Sequence, residues 1–429
     1  MANKKQTIYI CDKCGNEFPT WSGKCSMCGE WNSLQELKLS HSINKGKRPD
    51  AKVESIRIND IKIESSSRIK TSISELDRVL GGGIVAGSII LLGGEPGIGK
   101  STLLLQLADR LKTVFYLSAE ESVEQIKMRA KRLKVENDKI ILSADWDIEA
   151  VLGEVKKVEP ELFIVDSIQT ITKNSLEGTA GSITQVRECG ILLQQFAKTS
   201  GIPVVLIGHV TKEGNIAGPR ILEHLVDVVL YLEGDRFNDA RLLRGVKNRF
   251  GATNEVGVFA MNENGMVEIK NPSQVFLGER VNSPGSVITV TLEGTRPILV
   301  EIQALVVPTS FGFPKRTSSG FDLNRLNLLA AVITKKTPVN LSNCDIYLNV
   351  IGGIRLGEPA VDLAVCSAMI SSYKNKIYNN DVCFYGEVGL SGEIRKVMRQ
   401  EDRKKEATTL GYEPDTNIKY IGDLISRLK

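Results

Sequence analysis

The stretch Gly94-Glu95-Pro96-Gly97-Ile98-Gly99-Lys100-Ser101-Thr102 constrains this chain more than any other. It reads G-x-x-x-x-G-K-[ST], the phosphate-binding loop of nucleoside triphosphatases. Ile89 to Leu92 before it is a short apolar run with the character of a buried strand. Leu103, Leu104, Leu107 and Leu111 after it recur at helical spacing. Strand, loop and helix therefore come in the order such a site needs. Gly94, Gly97 and Gly99 permit backbone angles that let successive N–H groups converge on an anion. The helix that follows turns its positive end toward the same point. In this pattern Lys100 bridges the β- and γ-phosphates, and Ser101, or else Thr102, ligates magnesium. The expected ligand is a nucleotide with Mg²⁺.

Length and charge set the frame. A chain of 429 residues accommodates about three domains. With 55 Lys+Arg against 51 Asp+Glu, the bulk charge does not select a nucleic-acid partner, which would have to rely on local patches. No run of eighteen apolar residues occurs, so no membrane-spanning helix is expected. Met1 to Gln6 lacks the apolar segment of a secretory signal. Four of the eight cysteines are bunched and four scattered, which points to a reducing cytoplasm.

The bunched cysteines form two C-x-x-C pairs, Cys11/Cys14 and Cys25/Cys28, each followed by a glycine. Four thiolates at this spacing close a tetrahedral zinc site with no open position, hence a structural rather than a catalytic metal. Four free thiols in a small redox module are the alternative. A module of this size depends on its metal for stability. Trp21 and Trp31 beside it either cover the metal or stack on a base. Residues 1–38 are assigned to this module. Residues 39–60, with Lys45, Lys47, Arg48 and Pro49, read as a basic linker.

Residues 61–275 read as one ATPase core. Ser74 is expected to cap a short helix that ends at Gly81-Gly82-Gly83. Val114 to Leu117 is the next strand, followed by Glu120 and Glu121. A carboxylate at such a strand end can polarise water, and Glu120 is the first choice for that role. Glu121 is the alternative, or simply a helix N-terminal acid. Leu162-Phe163-Ile164-Val165-Asp166 has the form of a metal-holding strand end, with Asp166 serving Mg²⁺. Pro203 to Ile207 is another buried strand, after which His209 can sense the γ-phosphate or a bound strand, or be purely structural. Two flexible loops, near residues 170–182 and 211–219, leave the same sheet edge. Alternating strands and helices imply a parallel, doubly wound sheet.

These features, with the opening Glu75-Leu76-Asp77-Arg78-Val79-Leu80-Gly81-Gly82-Gly83, resemble the RecA-type ATPase core. Lys247-Asn248-Arg249-Phe250-Gly251 resembles a signature of the bacterial RadA/Sms family of DNA repair proteins. The cysteine module and the C-terminal region are similar to that family as well, so the resemblance spans essentially the whole chain. It implies an α/β fold in which a RecA-type P-loop ATPase core follows a small zinc ribbon and precedes an α+β Lon-protease-like domain, residues 276–429. It implies ATP, Mg²⁺ and Zn²⁺ as cofactors. It places Lys247 and Arg249 at a subunit interface, acting on a neighbour's nucleotide as an arginine finger does. It implies DNA contacts from Lys173, His209, Lys212, Lys247 and Arg249. The implied partners are single-stranded and branched DNA, RecA, and five further copies of the chain in a homohexameric ring.

In the C-terminal third, Val287–Thr291, Ile298–Val307 and Ile346–Ile351 read as strands, and 323–332 and 360–371 as helices. The proteolytic Lon pattern needs a serine nucleophile after a proline and a lysine base. Here Ala360 follows Pro359, and the lysine position falls near Gln400 or Glu401. The resemblance thus implies a non-proteolytic scaffold. Arg316, Arg355, Arg395, Arg399, Arg403, Lys404 and Lys405 are candidates for phosphate contacts, or form a solvated helix face. The function implied is an ATP-dependent DNA motor, a branch-migration helicase working with RecA. The competing classes are a KaiC-like ATP-dependent switch, an ATP-dependent protease, and a zinc-anchored DNA-binding protein whose ATP site only sets its assembly.

Overall fold

The computed structural model describes residues 7–11, 17–18, 20–27, 29–38, 57, 68–176, 178–208, 220–234, 240–277, 280–310, 312–352 and 354–429. Cys14, Cys28, His209, Lys212 and all of the basic linker except residue 57 lie outside the described residues. The chain divides into two compact units. The first comprises Met1–Glu233, Leu243–Thr253 and Met261–Val267, and the second Gly234–Leu242, Asn254–Ala260 and Glu268–Lys429. No described helix is long and apolar enough to cross a membrane.

The N-terminal module is a small antiparallel sheet in which Thr7–Cys11 lies between Glu17–Phe18 and Leu34–Lys38. Cys11 and Cys25 are fully buried, and the Cys11 thiol donates to Ser33 Oγ at 3.2 Å. Cys25 N donates to Glu30 O and Gly29 N to Cys25 O, which makes a tight knuckle. Both indoles are largely exposed, Trp21 at 58% and Trp31 at 67%. Lys24 Nζ lies 5.4 Å from the Trp31 ring centroid.

The core around the phosphate loop runs α1 (Ser74–Leu80), β1 (Ile89–Gly94), α2 (Lys100–Arg110), β2 (Val114–Ser118), α3 (Val123–Arg132), β3 (Ile140–Ser143), α4 (Ile148–Val158), β4 (Leu162–Asp166), α5 (Ile183–Ser200), β5 (Val204–Ile207) and β6 (Val228–Glu233). Its strands pair in parallel in the order β3-β2-β4-β5-β1-β6. Beyond β6 the order continues with β7 (Ala240–Asn248), β8 (Val256–Asn262) and β9 (Gly265–Glu268). The central strands are apolar on both sides because helices cover both faces. On one face Phe115, Phe163 and Val204 pack against Val155, Val186 and Phe196. Phe163 meets Phe115 and Phe196 edge-on, with centroids 5.7 and 6.3 Å apart. On the other, Ile90, Leu92 and Val205 face Leu103, Leu104 and Leu107 of α2.

Helix boundaries follow their capping chemistry. Ser74 is the first residue of α1 rather than its cap; Ile73 holds the N-cap. Asp77 turns back instead, accepting from Thr71 N and Oγ1 at 3.1 and 2.9 Å. Gly81 ends α1 with φ 74°, as the glycine run predicts. Ser122 caps α3 in a reciprocal capping box with Gln125.

In the second unit, β10 (Ser286–Glu293), β11 (Arg296–Pro308), β12 (Arg316–Ser319), β13 (Cys344–Val350), β14 (Val382–Cys383) and β15 (Glu413–Pro414) form a mixed sheet in the order β12-β13-β11-β10-β14-β15. α6 (Leu323–Lys336) and α7 (Asp362–Lys374) share its apolar core. The helices extend past the predicted 323–332 and 360–371, and a 3₁₀ turn, Pro359–Val361, precedes α7. This is an α+β unit. Arg403, in α8 (Gln400–Thr409), is not a surface cation. It is fully buried and donates from Nη1 and Nη2 to the Glu358 carboxylate at 2.9 and 2.5 Å. Burial of a guanidinium demands such a partner, so Arg403 is withdrawn from the phosphate-contact set. Arg316 spends Nη1 on Asn327 Oδ1, and Arg395 and Arg399 pair with Glu393 and Asp402. Arg355, Lys404 and Lys405 are exposed.

Candidate active site

The phosphate loop joins the end of β1 to the start of α2. Gly94 adopts φ 150°, and a Cβ there would lie 2.6 Å from Leu232 O. Gly99 adopts φ 116°, and a Cβ would meet Met261 Cε at 2.4 Å. Only glycine fits both positions. Lys100 is 4% exposed, and its Nζ donates to Gly94 O at 2.8 Å and Glu95 O at 2.9 Å. The loop's own carbonyls thus hold the ammonium beside the loop. Burial pushes the Lys100 pKa down to about 8, opposed by the Asp166 and Glu120 carboxylates. A buried, incompletely compensated ammonium inside a glycine cradle fits a phosphate ligand.

Adjacent strand ends bring the acids together. β2 and β4 pair so that Ser118 stands opposite Asp166. Asp166 is 4% exposed, and its Oδ2 accepts from the Tyr116 hydroxyl at 2.7 Å. Burial and the Asp166 charge push the Tyr116 pKa well up, so the phenol remains a donor. Ser167 Oγ donates to Glu120 Oε1 at 2.6 Å. Glu121 points elsewhere and pairs with Arg129 of α3. Glu120, not Glu121, therefore faces Asp166 and Lys100. Ser101 and Asp166 supply oxygen donors only, the set that suits Mg²⁺. The sequence contained one sign of Tyr116, a phenol within an apolar strand, and no sign of its partner.

Lys247, Asn248 and Arg249 lie at the other end of β1. Lys247 Nζ donates to Glu223 O at 2.6 Å and Val226 O at 2.9 Å, capping the short helix Arg220–Leu225. Desolvation, followed by the Arg249 charge, lowers its pKa. Asn248 Nδ2 donates to Val79 O. Arg249 Nη1 bonds Asp227 Oδ1 at 3.1 Å with its side chain 49% exposed, and Asp227 Oδ2 accepts from Ile89 N at 3.2 Å. Ile89 opens the strand that Gly94 closes, about 16 Å further on at 3.3 Å per residue. Neither cation is placed to reach its own phosphate loop.

Lys173 is half-buried in the first of the two expected loops. That loop is fastened rather than loose: Asn174 Nδ2 donates to Asp147 Oδ2 at 2.7 Å, and Ser175 Oγ to Glu149 Oε2 at 3.3 Å. Among the described residues no group of three or more His, Cys, Asp or Glu forms a metal cluster. Two of the four zinc cysteines, Cys14 and Cys28, lie outside that set.

Comparison with known proteins covers both regions. Residues 54–215 match the AAA domain model, and residues 9–36 match the rubredoxin metal binding domain model. The DNA repair protein RadA of Bacillus subtilis (strain 168) is 48% identical over 425 residues, covering 95% of this chain and 92% of that protein. The DNA repair protein RadA of Streptococcus pyogenes serotype M1 is 49% identical over 418 residues, covering 96% and 92%. Among solved structures, a KaiC-like protein of Pyrococcus horikoshii OT3 is 20% identical, covering 47% of this chain and 98% of that one with a TM-score of 0.40. With nearly half its residues shared across almost its whole length, this chain, whose phosphate-loop core matches the AAA domain model and follows a zinc-ribbon module, belongs to the RadA family of DNA repair proteins.

Proposed function

We propose that this protein is a DNA-dependent ATPase whose hydrolysis cycle drives branch migration on recombination intermediates, in a hexameric ring that binds single-stranded and branched DNA and works with RecA. One observation carries the catalytic part of this reading. Lys100, Asp166 and the Ser167-held Glu120 converge on one glycine cradle. The cradle's N–H groups and Lys100 bind the phosphates, and Glu120 takes the proton of the attacking water. Ser167 keeps that carboxylate aimed. Ser101 and Asp166 would hold Mg²⁺ through oxygen donors, and the ion would supply charge neutralisation at the phosphates. Tyr116 fixes one Asp166 oxygen.

Lys247 and Arg249 belong to the site of a neighbouring subunit, with Arg249 the cation that reaches across. Its half-exposed guanidinium and its distance from its own loop support this assignment. Lys173, His209 and Lys212 contact the DNA strand. Cys11, Cys14, Cys25 and Cys28 hold Zn²⁺ in the N-terminal ribbon, residues 1–38, which the linker 39–60 joins to the ATPase core, 61–275. Residues 276–429 form a Lon-protease-like scaffold. Ala360, buried at the turn before α7, replaces a nucleophile and leaves the scaffold without an acyl-transfer role. The protein works in the cytoplasm.

Steady-state ATP hydrolysis with and without single-stranded DNA tests this reading. Wild type should be stimulated by DNA. Glu120→Gln should bind ATP normally yet turn over about 10²–10⁴-fold more slowly. Lys100→Ala and Arg249→Ala should each be inactive alone. Mixed, they should regain activity, because each supplies what the other's site lacks. Turnover indifferent to DNA, with no recovery on mixing, would favour the KaiC-like switch.

A further inference from the structure

Gln185 is 1% exposed in the first turn of α5. A buried amide needs partners for both ends, and all those of this side chain come from a single loop. Its Oε1 accepts from Lys173 N at 2.9 Å. Its Nε2 donates to Leu176 O at 2.9 Å, with the Lys173 and Gly178 carbonyls at 3.4 and 3.5 Å. The amide thus stands in for the backbone partners that the turn lacks.

The other ties of this loop run along its length. At its near end, Thr170 Oγ1 accepts from Ser167 N at 3.3 Å and donates to Ser167 O at 2.8 Å. Ser167 is the residue whose hydroxyl holds Glu120. Further on, Thr172 N donates to Trp146 O, and Thr172 O accepts from Ile148 N. The ties from Asn174 to Asp147 and from Ser175 to Glu149 hold the outer side. The loop therefore starts at the serine that aims Glu120 and ends on Gln185, with Lys173 between.

We infer that Gln185 is a positioning residue for DNA coupling: it fixes the backbone of Lys173, so that a phosphate bound by that lysine presses on a firm loop whose other end is Ser167. This rests on the reading that the loop meets DNA. The partner of Lys173 is then a strand phosphate, and Gln185 itself touches neither DNA nor nucleotide. A loose loop would still leave the phosphate cradle and Glu120 in place. Gln185 thus governs stimulation rather than basal turnover.

The experiment uses the full chain, as wild type and as Gln185→Ala, Asn174→Ala and Lys173→Ala. Trypsin cleavage after Lys173 is followed by mass spectrometry, alongside basal and oligonucleotide-stimulated ATP hydrolysis. In Gln185→Ala, cleavage after Lys173 should rise about tenfold and DNA stimulation fall about tenfold, with basal turnover within about twofold of wild type. Asn174→Ala, which removes an exposed tie and leaves the core intact, should shift both in the same direction by less. If Gln185→Ala does not fold, Asn174→Ala decides alone: faster cleavage with weaker stimulation supports the inference, and no change in either overturns it. Unchanged cleavage in a folded Gln185→Ala overturns it, whatever DNA does. Faster cleavage with full stimulation overturns it too. Lys173→Ala separates the failures: if this variant binds and responds to DNA normally, the reading of the loop as a DNA contact is what fails.

Discussion

At the residue scale, the cost of burying Lys100 is visible in its chemistry. Its pKa falls from the usual lysine value to about 8 because burial penalises the charged form, even with Asp166 and Glu120 nearby. Phosphate prefers the ammonium, so nucleotide affinity should decline as pH rises through 8. It should be about tenfold weaker at pH 9 than at pH 7, as one pKa unit of lost protonation requires. Calorimetric titration with a non-hydrolysable ATP analogue across that range measures it, and a flat profile would refute the burial argument. Stability runs the other way. Between about 8 and the ordinary lysine value the unfolded chain binds more protons than the folded one, so this group makes the nucleotide-free protein more stable as pH rises. The fixed positions around Lys100 were legible as a string, since they are neighbours in sequence. Tyr116 on Asp166 was not, because the pair is brought together by strands fifty residues apart.

At the element scale, the strand–loop–helix unit shows how differently two glycines of one motif are constrained. Gly94 combines φ 150° with the Leu232 carbonyl 2.6 Å from any Cβ, whereas Gly97 has φ 79° and open space. Gly97→Ala therefore bears only the left-handed strain of about 1–2 kcal/mol. Gly94→Ala adds a clash with backbone that cannot rotate away, and should cost clearly more. Chemical denaturation of the two variants makes the comparison; equal losses would mean that the β1–β6 contact yields. Elements with strong apolar patterns were legible in the sequence, as α6 and β11 illustrate. Their ends were less so. Ser74 looks like a cap but is displaced by the Thr71–Asp77 turn, and α7 begins after a 3₁₀ turn that pattern alone does not mark.

At the scale of the whole molecule, each unit carries its own core and its own committed charges. Arg403 is the clearest case in the second unit. Its guanidinium, fully buried, is satisfied by Glu358, Val290 O and Met398 O. Glu358 in turn accepts from Leu292 N and Thr291 Oγ1. Arg403→Met strands the Glu358 carboxylate and should lower stability by about 3–5 kcal/mol. Thermal denaturation of the second unit's transition reports it. A loss near zero would show that water reaches the vacated space. From sequence, Arg403 was indistinguishable from its neighbours Lys404 and Lys405, which are exposed. A helix pattern gives the spacing of charges but not which of them turns inward.

What the sequence alone determined is what contiguous residues can encode. The phosphate loop, the apolar strand ending in Asp166, the C-x-x-C pairs and the family resemblance all rest on local spacing, where residue type and backbone freedom are enough. The tertiary structure decided the partnerships between distant residues. It put Glu120 rather than Glu121 on Ser167, gave Lys247 to the end of a helix, seated Gln185 under a loop, and withdrew Arg403 into a core. A side chain's type states which bonds it can make. Only packing states which group is within 3 Å to make them.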